Sequence, residues 1–86
     1  MQRKELILML LDEHNEKTIK LLRDFPYLLR DLYVLNAYDE AYRINKAKKI
    51  RACKQRSRDE VIERFGIGVN HFYEIKKRVD WLLQKM

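Results

Sequence analysis

RDEVIERFGIGVNHFYEIKKR, from Arg58 to Arg78, is the stretch on which the fold turns, because one glycine interrupts two runs of helical apolar spacing. Val61 and Phe65 stand four apart on one face. Gly66 follows where a left-handed corner is needed, and Ile67 can fill that corner from inside. The period then resumes at Phe72, Ile75 and Val79, in steps of three and four. The spacing predicts a short helix over Arg58 to Phe65, a turn of three residues from Gly66 to Gly68, and a second helix from Val69 to Gln84. Ser57 with Glu60 three residues on reads as a capping box, which would end the preceding basic helix before Ser57.

At about 100° per residue the second helix turns Phe72, Ile75, Val79, Leu82 and Leu83 to one side. Asn70, Glu74, Lys77 and Trp81 fall opposite, with Tyr73 on the flank. An exposed tryptophan two turns beyond the polar end is expected to be covered by the N-terminal helices or by another subunit.

Outward from this stretch the chain reads as helix throughout. Two glycines and one proline among 86 residues leave little to break one. A first helix is expected over about Gln2 to Glu13 and a second through Arg23 capped by Asn15. Pro26 marks a third start, with Asp24 as its cap. No Gly or Pro intervenes from Tyr27 to Gln55, and the tendency of Asn and Asp to interrupt helices favours two helices joined near Asn36 to Asp39. Tyr27 to Tyr38 is apolar at nine of twelve positions, so that segment is covered on more than one side. Ala37, Ala41, Ile44 and Ala47 share a face that would admit a close neighbour. The predicted class is all-α, a small helical bundle in one domain over residues 1–86. Residues 1–42 form an assembly part, and residues 43–86 hold a basic helix and the angled pair.

Charge divides the same way. Residues 1–42 carry six Lys or Arg against eight Asp or Glu, and residues 43–86 carry thirteen against five, so the halves stand near −2 and +8 and sum to the net +6. A basic excess confined to one half suits a polyanion, nucleic acid above all. Arg43 to Arg58 holds eight cations and no anion, a composition that solvation alone would not select. A domain this small buries only about 60% of its unfolded surface, which favours self-association.

Other chemistry finds little footing. The only serine is the expected cap, and the sequence has neither a Gly-rich phosphate loop nor a persuasive Cys–His pairing, so no enzyme is expected. Asp12, Glu13, His14 and Glu16 lack metal-ligand spacing; no metal and no cofactor is expected. His71 is expected to be a partly exposed helix residue and Cys53 a packing residue. The single cysteine fits a reducing cytoplasm. The apolar run Leu6 to Leu11 is too short for a secretory signal, and nothing approaches the roughly 20 apolar residues of a membrane span.

The residues Val61, Phe65, Gly66, Ile67, Phe72 and Ile75, with the apolar–Tyr pair Phe72-Tyr73, make about a quarter of the chain similar to the helix-turn-helix superfamily of DNA-binding proteins. Ile62 stands where that family usually has a small residue, and Gly68 where it often has Ser or Thr. The resemblance implies that the second helix enters the major groove of duplex DNA. Base reading would then fall to Val69, Asn70, Tyr73 and Glu74. Lys46, Lys48, Lys49, Arg51, Lys54, Arg56, Arg58, Lys76, Lys77 and Arg78 would meet the phosphate backbone. The layout looks like short phage or bacterial transcription regulators, working as a homodimer or higher homo-oligomer through the N-terminal helices. It is also similar to the DNA-recognition parts of small terminase subunits and transposases. From another class, a helical adaptor or an RNA-binding module fits the same composition.

Overall fold

A computed structural model describes residues 2–12 and 14–85. Five helices follow one another: α1 (Arg3–Leu10), α2 (Glu16–Asp24), α3 (Leu28–Ala47), α4 (Cys53–Phe65) and α5 (Val69–Lys85). Among the described residues there is no strand. α3 is the axis of the molecule. It packs most extensively on α4 and then on α1 and α5, whereas α4 and α5 meet little beyond their shared corner.

The core is built from one stripe of each long helix. α1 gives Leu6, Ile7 and Leu10; α3 gives Leu28, Leu32, Val34 and Leu35; α4 gives Val61; α5 gives Phe72, Ile75, Val79 and Leu82. Each large apolar side chain so buried contributes about 1.5–3 kcal/mol, which makes this stripe the dominant stabilising term. Leu83 and the corner residues Ile62, Phe65 and Ile67 pack against it half-buried. α2 adds Leu21 and Leu22 at the edge, but its only fully buried side chain is Thr18. The Thr18 hydroxyl donates to the Met9 carbonyl at 2.8 Å, beside the Asp12 N–H that donates to the same oxygen, and ties α2 to the end of α1.

The N-terminal helices follow the expected order. Asn15 is extended and its side chain accepts from the Lys17 N–H at 2.9 Å, capping α2. α1 stops at Leu10; the expected end at Glu13 lies outside the described residues. Asp24 does not cap α3. It is the last residue of α2, and Tyr27 precedes α3 without a side-chain cap bond. Pro26 acts one turn earlier than expected: the Leu28 N–H donates to the Phe25 carbonyl at 3.0 Å, so Pro26 takes the second position of a tight turn. Tyr27, at φ −97° and ψ 6°, has the dihedrals of its third position.

α3 runs unbroken through Asn36 to Asp39, against the expected junction there. An Asn or Asp inside a helix costs only about 0.7 kcal/mol, and the burial of Leu32, Val34 and Leu35 on the same turns outweighs it. The break falls instead at residues 48–52. Lys49 takes a left-handed φ of 57°, its N–H donates to Lys46 O, and the Ile50 N–H donates to Asn45 O, both at 3.1 Å. That is the helix-closing pattern usually built on glycine, here built on lysine. Ala52 is left-handed as well, at φ 51°, just before α4.

α4 therefore begins at Cys53, five residues before the expected Arg58, and Ser57 is no cap. Ser57 sits fully buried inside the helix, donating to the Cys53 carbonyl at 2.6 Å and accepting from Asn45 Nδ2 at 3.0 Å. The capping-box reading fails because a buried serine can bond back to its own helix and to a neighbour, leaving no sign of this in local spacing. For the same reason the face of α3 turned to α4 includes Asn45, and Ile44 is exposed rather than packed. The corner follows expectation: Gly66 is left-handed at φ 64°, the Ile67 N–H donates to Ile62 O at 3.2 Å, and α5 opens with the Phe72 N–H on Gly68 O at 3.0 Å.

Candidate nucleic-acid interface

The inner face of α5 is spent on the core, which leaves its first two turns presenting Val69, Asn70, Tyr73 and Glu74 to solvent. Tyr73 remains 48% exposed although its ring leans edge-on against buried Phe72, centroids 5.5 Å apart. Its hydroxyl accepts from Arg58 Nη1 of α4 at 3.0 Å. The guanidinium also donates to Asp59 through Nε and Nη2 at 3.2 and 3.1 Å. These bonds to Tyr73 and then Asp59 raise the Arg58 pKa above its ordinary value and hold the side chain to 21% exposure.

The aromatic set continues onto α3. Tyr38 packs on Phe72 with centroids 5.3 Å apart and stacks on Tyr42 at 6.3 Å. Lys46, one turn further, brings its ammonium within 5.8 Å of the Tyr42 ring centre. Burial, followed by the neighbouring Tyr42, Asp39 and Tyr73, raises the Tyr38 pKa above the ordinary phenol value, so this hydroxyl stays protonated. Tyr38 and Tyr42 were not among the expected site residues. Their spacing with Lys46, i, i+4 and i+8, was visible in the sequence, but their proximity to Phe72 required α5 to be laid across α3.

The ten expected backbone cations do not form one set. Lys46, Lys48, Lys49, Arg51 and Lys54 are exposed around the α3–α4 connection, without an ion-pair partner among the described residues. Arg51 and Arg56 share a shallow depression with Asp59, Glu60 and Glu63, and Arg56 Nε lies 3.9 Å from the Glu60 carboxylate. Lys76 is half-buried and Lys77 exposed. Arg78 is committed elsewhere. It donates to Asp31 at 3.1 Å, and the Asp31 carboxylate, 6% exposed, also accepts from Arg30 at 3.3 Å.

A further bond set braces the site from behind. Arg3 donates to Asp39 of α3 at 2.7 Å and to Asp80 of α5 at 3.1 Å, fixing how the two helices cross. Although burial works against its charge, the bonds to Asp80 and Asp39 raise its pKa overall.

No protein-family model, no curated protein and no solved structure matches the chain.

Away from this face, Trp81 is 53% exposed, so the N-terminal helices do not cover it. It borders an apolar groove of about 470 Å³ with Phe25, Pro26, Tyr27 and Leu28. Leu8, Leu11 and Ile19 also project from α1, α2 and their connection. Among the described residues no helix is long and apolar enough to cross a membrane.

Proposed function

We propose that the chain is a small DNA-binding protein in which α4 and α5 act as a helix-turn-helix and α5 reads the major groove, as in a short phage or bacterial transcription regulator. The observation that carries this reading is the placement of Asn70, Tyr73 and Glu74 on the solvent face of a helix anchored by Phe72, Ile75 and Val79 and tied through Tyr73 to Arg58 of the basic α4. Asn70 can pair with an adenine edge, Glu74 can accept from cytosine, and Val69 can touch a thymine methyl. Lys46, Lys48, Lys49 and Lys54 suit the phosphate backbone, where they add affinity without sequence preference. A packaging or transposition protein would use the same surface.

Exposed Leu8, Leu11 and Ile19, with the Trp81 groove, support a homodimer or higher homo-oligomer built through the N-terminal half, which would address paired half-sites. Nothing in the proposed role calls for catalysis, a cofactor or a membrane, and the cytoplasm is the compartment that suits it.

The deciding experiment is selection from a random duplex library at a stated salt concentration. An enriched site, with its symmetry, is the expected result; failure to enrich any motif would demote the regulator reading. The aromatic groove favours one rival, a helical adaptor, and that protein would show no duplex binding at moderate salt.

A further inference from the structure

We propose that Tyr42 and Lys46 of α3, Arg58 of α4 and Tyr73 of α5 together seat one backbone phosphate of the bound duplex. The inference rests on the DNA-binding reading above and gives it a fixed point of attachment.

Tyr42, with Lys46 beside its ring, is linked to Tyr73 and Arg58 through the rings of Tyr38 and Phe72, which pack in succession from α3 to α5. The Asn45–Ser57 hydrogen bond, 3.0 Å long, clamps α3 to α4 one residue away from both Lys46 and Arg58. Tyr38 packs on Phe72 at 5.3 Å and so sets α5 against α3 one turn before Tyr42. Tyr38, Tyr42 and Lys46 recur every fourth residue and share one stripe of α3.

The hydrogen-bond inventory points to an anion. Arg58 spends three N–H groups, two on Asp59 and one on the Tyr73 hydroxyl, and the guanidinium keeps the rest for another acceptor. The Tyr73 oxygen accepts from Arg58, which leaves its own hydrogen free to donate. The Tyr42 hydroxyl has no protein partner among the described hydrogen bonds, and Lys46 Nζ offers its charge beside that ring. Phenol hydrogens, guanidinium N–H groups and an ammonium are all donors, and they match a phosphodiester oxygen better than a base edge that mixes donors with acceptors. Tyr73 thereby shifts from base reading to registering α5 on the backbone, while Asn70 and Glu74 keep the sequence-reading role.

The test uses the full chain and a duplex recovered by the selection, with affinity measured over a salt series. Lys46→Gln should flatten the salt dependence by about one ion. Tyr42→Phe keeps the ring stack and should weaken binding about threefold to tenfold on every sequence alike. Replacing each backbone linkage in turn by an uncharged methylphosphonate should reveal one position that penalises the wild-type chain but not the Lys46→Gln variant. If both variants bind as wild type, or if they alter the preferred sequence while leaving the salt slope intact, the phosphate seat is overturned. Loss of specificity on Asn70→Ala in that same case would leave the DNA reading standing. A wild-type chain that binds no duplex removes both.

Discussion

The Asn45 side-chain amide donates to the Ser57 hydroxyl at 3.0 Å, in the buried seam between α3 and α4. Ser57 passes its own hydrogen to the Cys53 carbonyl, so its hydroxyl both accepts and donates. Removing the serine oxygen leaves the Asn45 N–H group without an acceptor. Ser57→Ala should therefore cost about 1–3 kcal/mol in urea unfolding. The double change Asn45→Leu with Ser57→Ala should recover part of that loss, because an apolar pair carries no orphaned donor. A single variant as stable as wild type would show that the relay contributes nothing.

Opposite signs are expected at two left-handed positions. A Cβ on Gly66 meets no atom within 4 Å, so the penalty of Gly66→Ala comes from its φ of 64° alone, about 1–2 kcal/mol. Ala52, at φ 51°, already bears that strain. Ala52→Gly should raise the melting temperature, the relief being partly offset by the greater freedom of glycine in the unfolded chain. Thermal melts of the two variants side by side decide it.

Asp31 joins α3 to α5 through Arg78, with Arg30 on its other oxygen. Both arginines are more than half exposed and can return to water, so Asp31→Asn should cost about 1–2 kcal/mol rather than the larger loss seen when a buried cation is stranded. Arg78→Gln should cost less, since Arg30 still holds the carboxylate. It should also leave duplex affinity nearly unchanged, unlike Lys48→Ala or Lys49→Ala, which should weaken all DNA alike. Denaturant curves and duplex titrations of the same variants test both halves.

Tyr38 gives a pH signature. Its pKa is raised in the folded chain above the ordinary 10.0, so its contribution is fully present below that pH and is lost as pH rises through the folded value. Stability should fall more steeply above about pH 10 in the wild type than in Tyr38→Phe. Parallel melts on either side of that pH show whether the two curves converge.

Much of this architecture was legible in the residues. Asn15 capped α2, Gly66 turned the corner, and Phe72, Ile75, Val79 and Leu82 faced inward because helical period and left-handed glycine are local properties. The α3–α4 junction was not legible, since a lysine and an alanine, neither of which advertises a turn, take the left-handed positions there. Ser57 resembled a cap because spacing is blind to burial. The aromatic cluster was hidden for a third reason: Tyr38 and Phe72 are distant in the chain, and only packing of α5 on α3 brings them into contact.

Trp81 is the sole tryptophan, and it stands half in water near the far end of α5 from Asn70 and Tyr73. Its emission is thus a built-in lamp near the end of α5. Subunit pairing over the Phe25–Leu28 groove would shift that colour toward the blue, and a duplex read by the first two turns of α5 would change it less. A dilution series read at a single excitation wavelength then separates the assembly step from the DNA step without any attached dye.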